Sequence, residues 1–450
     1  MKKALVMISA AAMVLAFSLP EGTVTAQAGE NTAYIINFKG NGLPDQARSW
    51  VEEAGGSVVK TNPDLSYIKA SSDDPRFLKR IREYKKVSDA GRELKVVQET
   101  AESQAFQGKT DHPLYEQYQW DIQQVTRNGE SFDQPRGKGT KDVVVAVIDT
   151  GIDREHPDLK ENIVDAKSFV PGESAQDVHG HGTHVAGSIA ANGKVLGVGP
   201  ELGIAGLKVF PESGGAAVST IAEAIHYAAD QDYDVINMSL GSYELLQDEE
   251  RKTSDITAEI NLFKKAIAYA HQNGVTVVGS AGNADADITR PGPLSRYLFD
   301  ENGATKRDPA SNLLIRVSAG NKGKERAFYS NYGVGKIDVM APGGDLGPDY
   351  DPETGTGRDD TYLCLSTVPQ LDENGEVIGH TYGWKAGTSM AAPKVAGVAG
   401  VIIAKHGKNE LKPSQVKAII QQSAEDIYKK GYDAESGFGL VDAVSALQHR

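Results

Sequence analysis

Cysteine is nearly missing: Cys364 is the single one in 450 residues. One thiol excludes an intrachain disulfide, and no cysteine cluster exists to hold zinc or iron. Its neighbours, Thr361-Tyr-Leu-Cys-Leu-Ser-Thr-Val368, offer no basic group to activate a nucleophile, so a half-buried strand cysteine is expected. Basic residues are also in deficit, 47 Lys+Arg against 61 Asp+Glu, for a formal charge of −14. Residues 1–104 are almost balanced, 14 basic to 13 acidic, so the acidic excess lies after them. Such a surface repels nucleic acid and anionic lipid, and neither is expected as a partner. After the N-terminus no apolar run approaches the roughly 20 residues of a membrane span. The helical His-Glu-x-x-His pattern of zinc peptidases is absent as well: His181 and His184 are three apart, without the glutamate.

What is present begins with an export pattern. Lys2-Lys3 precedes an apolar stretch from Ala4 to Leu19, and Ala26-Gln27-Ala28 has the small-residue form of a cleavage site. Residues 1–28 are therefore expected to be a signal peptide, removed from a secreted, extracellular protein with no membrane contact afterwards. Residues 32–97 predict a small α+β unit, with strands at Ala33–Phe38, Ser57–Val59 and Leu65–Ile68 and helices at 44–54 and 75–87. A polar, aperiodic stretch at 98–117 predicts an exposed linker. From 118 to 450 the pattern changes. Val143–Ile148, Ile204–Phe210, Val235–Met238, Val275–Gly279 and Leu313–Val317 are short apolar runs separated by helical segments. Such runs fit strands buried on both faces, so a three-layer α/β domain with a mostly parallel sheet is expected. Ligands in such sheets bind beyond the carboxyl ends of the strands. Asp149, Ser239 and Asn283 follow three of those ends.

Three segments carry chemistry: Asp149-Thr-Gly-Ile-Asp153, His179-Gly-His-Gly-Thr-His-Val-Ala-Gly187 and Gly387-Thr-Ser-Met-Ala-Ala-Pro393. Amide hydrolysis by a serine needs a base for the hydroxyl proton. An imidazole can take that proton and return it to the leaving amine. A buried carboxylate then sets the imidazole's tautomer. Each residue alone reads as a turn, a cap or a structural histidine; the three motifs in the order Asp, His, Ser do not.

Together these motifs resemble the subtilisin-like serine peptidases, the subtilase family, from about Trp120 to the C-terminus, and residues 32–97 resemble that family's inhibitory propeptide. The resemblance implies a serine endopeptidase working through an acyl-enzyme, with Asp149 orienting, His181 as general base and Ser389 as nucleophile. It makes Asn283 the oxyanion donor and His184 structural. Gly214, Gly215, Ser239, Leu240 and Gly241 would sandwich the substrate as an added strand, and Ala281 and Gly282 would line the pocket before the cut. Asp158 matches a calcium ligand, but its partner loop around Asn192-Gly-Lys-Val195 is short, leaving a plain turn carboxylate as the other reading. Segments 243–257, 286–306 and 344–380 are extra. The acids Asp345, Asp349, Asp351, Glu353, Asp359 and Asp360 in the last favour a solvated loop over a calcium loop. Arg307-Asp308-Pro309 stands where the family has a neutral pocket floor, so no side-chain preference is assigned. The implied partners are protein or peptide substrates and the chain's own propeptide, as intramolecular inhibitor and folding aid, on a monomer. A zymogen that cuts itself between Val97 and Tyr115 is expected. A narrow processing peptidase, maturing peptides or toxins, stands beside a general degrader.

Overall fold

The structure, a computed structural model, describes residues 32–96, 102–240, 253–289, 313–351 and 354–449. The expected signal peptide, Gly241, Arg307-Asp308-Pro309 and most of segments 243–257 and 286–306 lie outside the described residues.

The N-terminal unit is β1 (Thr32–Phe38), α1 (Ala47–Glu53), β2 (Ser57–Asn62), β3 (Tyr67–Ser72), α2 (Phe77–Ile81) and β4 (Val87–Arg92). Its antiparallel sheet runs β2-β3-β1-β4. Alternation along β1 sends Ile36 and Phe38 into the unit's own core with Phe77 and Ile81, while Ile35 joins the large domain's core. The second helix is shorter than expected. It stops at Ile81, and β4 begins at Val87, where the helix was expected to end, and runs on as a strand that the pattern did not predict.

Two short strands come next: β5 (Lys95–Val96), at the end of the expected 32–97 unit, and β6 (Glu102–Ala105), where a structureless linker was expected over 98–117. Then come α3 (Tyr115–Tyr118), α4 (Trp120–Thr126), β7 (Val144–Asp149), β8 (Ile163–Ser168), α5 (His181–Ala190), β9 (Gly203–Lys208), β10 (Ala216–Ala217) and α6 (Val218–Asp230). The rest is β11 (Val235–Met238), α7 (Thr253–Gln272), β12 (Thr276–Ser280), β13 (Leu314–Gly320), β14 (Val339–Pro342), β15 (Cys364–Leu371), β16 (Val377–Ala386), α8 (Thr388–His406), α9 (Pro413–Ser423) and α10 (Ala443–Gln448).

All five apolar runs form strands of one seven-stranded parallel sheet, ordered β14-β13-β12-β11-β7-β9-β8. In β7, Val145 and Val147 face a core shared with α5 and α8, while Val144, Ala146 and Ile148 face one shared with α6 and α7. Helices on both faces make the expected three layers. The chain enters at β7, builds β8 and β9 to one side, then crosses back to β11. The order therefore reverses between β7 and β11, and a crevice opens beyond their carboxyl ends. Among the described residues no helix is long and apolar enough to cross a membrane.

The N-terminal unit sits on α6 and α7. Glu223 of α6 accepts from Tyr67 Oη at 2.6 Å and Asn62 Nδ2 at 3.1 Å, and Lys60 Nζ lies 2.8 Å away. On α7, Asp255 takes the backbone N–H of Arg92 at 2.8 Å and its guanidinium at 3.0 Å. Lys265 donates to the carbonyls of Phe38 and Ser66. The approach is so close that a Cβ on Gly91 would stand 2.4 Å from the Asp255 Cα. On the opposite face, the buried pair Lys394–Asp121, at 2.8 Å, ties α8 to α4 at the other end of the domain.

Candidate active site

Asp149 is the last residue of β7 and is fully buried. His181 opens α5, its Nδ1 lying 2.8 and 3.0 Å from the two carboxylate oxygens of Asp149. Carboxylate oxygens only accept, so in the neutral ring Nδ1 carries the proton and Nε2 keeps its lone pair. That Nε2 is buried without a hydrogen-bond partner. Close approach needs glycine next door: a Cβ on Gly182 would stand 2.2 Å from the Gly151 carbonyl.

The start of α5 is held by a residue that no motif marks. Asp177 is fully buried and accepts from Thr150 Oγ1, the N–H groups of His179, Gly180 and Thr183, and Thr183 Oγ1, at 2.6–2.9 Å. Burial pushes its pKa up, but the hydrogen bonds from Thr183, His179 and Gly180 outweigh it and hold the carboxyl below its ordinary value. Thr150 in turn accepts from Gly182 N at 2.9 Å, so one network joins the end of β7 to the histidine helix.

Ser389 is the second residue of α8, after Gly387 at φ 152°. Its hydroxyl donates to the Ser239 carbonyl at 3.2 Å, and Ser239 Oγ donates back to the Ser389 carbonyl at 2.8 Å. That carbonyl is open because Pro393, four residues on, has no N–H to reach it. Helix interruption and the anchoring of Ser389 are one device. Ser239 is fully buried, so its side chain braces α8.

Asn283 comes after β12. Its Oδ1 accepts from Thr388 N and Thr388 Oγ1, both at 2.8 Å. A backbone N–H can only donate, so the amide's orientation is settled and Nδ2 turns the other way. Thr388 Oγ1 also accepts from Gly282 N at 3.0 Å. Thr388 stands inside the Gly387–Pro393 motif, yet nothing in the sequence marks it as the residue that aims Asn283. Ala281 is buried in a small cluster with Ala286, Ile288 and Ile337, and Gly282 has φ 96°. His184, with Nε2 3.1 Å from the Cys364 carbonyl, is kept well below its ordinary pKa by burial and stays neutral and structural.

Two short strands of the chain pair with segments near the site. β5 pairs antiparallel with β10, Val96 opposite Ala216 and Lys95 opposite Ala217. Gly215 must be small, because a Cβ there would press on Lys95 at 3.2 Å. β6 pairs with the end of β16, Glu102 opposite Ala386 and Ser103 opposite Lys385. A cleft of about 370 Å³ is lined by His179, Gly214, Gly215 and the β15–β16 hairpin tip, Asn374-Gly375. Leu240 lies just past β11 and accepts from Ser280 Oγ at 3.2 Å.

Asp158 does not fit a calcium ion. Its Oδ2 accepts from Lys194 N, Val195 N and Tyr382 Oη, each at 3.0 Å, and donors crowded on a carboxylate are the wrong neighbours for a cation. The short loop is clamped directly by the carboxylate, correcting the calcium reading at this residue. In the acidic segment, Asp345 takes Gly347 N, Asp351 takes Thr354 Oγ1, Asp359 takes Thr361 N, and Asp360 pairs with Arg358; Glu353 lies outside the described residues. No group of three or more ligating side chains occurs among the described residues.

A buried carboxylate–imidazole pair at the end of β7 and a helix-start serine held at the end of the neighbouring β11, at the switch point of a parallel sheet, define the class: a serine hydrolase. The family is then given by comparison with known proteins. A model of the subtilase family, peptidase S8, matches residues 140–439, and the chain belongs to that family. It is 30% identical to Subtilisin E of Bacillus subtilis (strain 168) over 449 residues, covering 97% of both. It is 31% identical over 371 residues to the epidermin leader peptide-processing serine protease EpiP of Staphylococcus epidermidis, covering 75% of both. The crystal structure of EpiP from Staphylococcus aureus superposes with a TM-score of 0.74 at 26% identity, over 93% of this chain and 98% of that one. The protein is a serine endopeptidase of the subtilisin type. Its family generally carries structural calcium and needs no catalytic cofactor.

Proposed function

We propose that the chain is a secreted zymogen whose catalytic groups are Asp149, His181 and Ser389, with Asn283 stabilising the oxyanion, and that it matures by cutting itself. The observation that carries this reading is the double strand pairing. β5 sits on the Gly214–Ala217 side of the cleft, and β6 sits on β16, three residues before Ser389. Pairing on both sides supports a cut between Val96 and Glu102, at the start of the expected interval of 97–115.

In the reaction the Ser389 hydroxyl turns from the Ser239 carbonyl to the bare Nε2 of His181, which takes its proton as Oγ attacks. The carbonyl oxygen, now an anion, receives N–H groups from Asn283 Nδ2 and the Ser389 backbone. His181 returns the proton to the leaving amine. Water then repeats the sequence on the acyl-enzyme. Residues 32–96 act as the propeptide, docked through Glu223, Asp255 and Lys265, and residues 1–28 as the export signal, on their charged, apolar and Ala-x-Ala pattern.

Within peptidases, narrow processing is favoured over general degradation. The extra segment 344–380 supplies most of the β15–β16 hairpin, whose base holds β6 and whose tip lines the cleft. EpiP, named for processing a leader peptide, supports the same choice. Ser389→Ala, made in a protease-free system, is expected to stay a full-length precursor while the wild type is cut between Val96 and Glu102. A mutant cut at the wild-type bond would show that another enzyme matures it.

A further inference from the structure

Backbone pairing of an added strand is blind to sequence, so specificity comes from what its side chains meet. On the leaving-group side of the cleft, β6 meets two cations. Arg358 Nη1 lies 2.9 Å from Glu102 Oε2, and Lys385 Nζ donates to Ser103 Oγ at 3.1 Å. Lys385 is only 7% exposed, four residues before Ser389. Burial pushes its pKa down, and Asp177 and Asp149 oppose that. These cations stand out in a domain with a large acidic excess. We propose that Arg358, assisted by Lys385, forms a leaving-group subsite that selects an acidic residue just downstream of the bond to be cut.

The inference rests on the reading that β5 and β6 flank the scissile bond. Glu102 then shows how a substrate carboxylate sits. β16 runs straight through Gly387 into Ser389, so a residue paired with Ala386 is held at a fixed step from the nucleophile. Asp360 binds the other edge of Arg358 at 2.7 Å, aiming the guanidinium and sharing its charge. The Arg358 and Glu102 side chains remain 33% and 26% exposed. Solvent and Asp360 together keep the selectivity modest, about threefold for Glu over Gln and roughly tenfold for Glu over Lys. Lys385 is nearly dry, and a carboxylate in place of the Ser103 hydroxyl would pair with it. Consecutive acids are therefore the preferred downstream pattern.

The test uses mature enzyme and internally quenched peptides of the sequence Lys95 to Ala105, with Glu, Gln or Lys at the Glu102 position. Wild type is expected to rank kcat/KM as Glu, Gln, Lys, and Arg358→Glu to put Lys ahead of Glu. A peptide with Glu for Ser103 should be cut faster than its parent by wild type, and the gain should vanish in Lys385→Met. The ratios are internal to each variant, so a variant of lowered overall activity still reports. Equal kcat/KM for all three peptides, or an unchanged order in Arg358→Glu, overturns the subsite. Peptides left uncut by enzyme that reacts with phenylmethylsulfonyl fluoride and degrades casein overturn the placement of β5 and β6, and the subsite with it. Enzyme that does neither overturns the assignment of Ser389.

Discussion

Asn283→Ala isolates one interaction. The Asn283 Oδ1 is gripped by two donors from Thr388, at 2.8 Å each, which leaves Nδ2 aimed away from Thr388. The oxyanion exists only after attack, so this amide acts on the transition state and not on substrate binding. Removing such a donor costs about 2.7–4 kcal/mol, or about 10²–10³ in kcat, a range known from subtilisin, a relative of this chain, and carried over from it. KM should stay within about twofold of wild type. Thr388→Val keeps the backbone N–H grip on Oδ1 but loses the hydroxyl's bond to it, and also the hydroxyl's acceptance from Gly282 N. The bond to Asn283 nets roughly 0.5–1.5 kcal/mol, so kcat should fall about two- to tenfold through the oxyanion donor. Because Thr388 acts through Asn283, the double mutant should lose little more than Asn283→Ala alone. Steady-state kinetics on a quenched peptide gives all four corners of the cycle. A raised KM with intact kcat in Asn283→Ala, or losses that simply add in the double mutant, would refute the reasoning.

The clamp at Asp158 predicts that excess chelator leaves the contribution of this loop to the melting midpoint unchanged, while Asp158→Ala lowers the midpoint by unpairing two N–H groups and a phenol, at about 3 kcal/mol. A chelator-sensitive midpoint in wild type that Asp158→Ala abolishes would restore calcium to this site. Asp177, with its pKa lowered by folding, contributes stability that is fully present above the ordinary carboxylate pKa and is lost as pH falls through its lower folded value. Asp177→Asn should therefore melt well below wild type at pH 7, the gap closing only below about pH 4; a gap constant down to pH 2 would show that its charge is not what matters.

What could be read from sequence was whatever side chains write into a pattern. The strands at Val144–Asp149, Val235–Met238 and Thr276–Ser280 are apolar because both sheet faces are buried, and burial leaves that mark. Two strands left no such mark. β4, Val-Ser-Asp-Ala-Gly-Arg, and β6, Glu-Ser-Gln-Ala, are held by backbone pairing to edges that distant segments present. β4 buries only the side chains of Val87 and Ala90, and β6 holds polar side chains against Arg358 and Lys385, so both polar strands read as loops. The same limit applies in the site. Asp149, His181 and Ser389 lie in recognisable strings, but Asp177 is an isolated aspartate whose five donors come together only in the fold. The sequence offers Asp158 and its short partner loop, but Tyr382, the phenol that helps saturate it, arrives from the hairpin more than 200 residues later.

The buried pair between Lys394 and Asp121 bears on when the site comes into being. The two residues stand near opposite ends of the catalytic domain, and neither charge is stable in the core without the other. A ribosome releases Asp121 long before Lys394, so the buried carboxylate waits for its partner until the helix bearing Ser389 has been made. Closing so long a loop is slow and comes late. Until then the serine is an ordinary alcohol and the histidine an ordinary base. The serine and the charge that seats its helix leave the ribosome together, five residues apart.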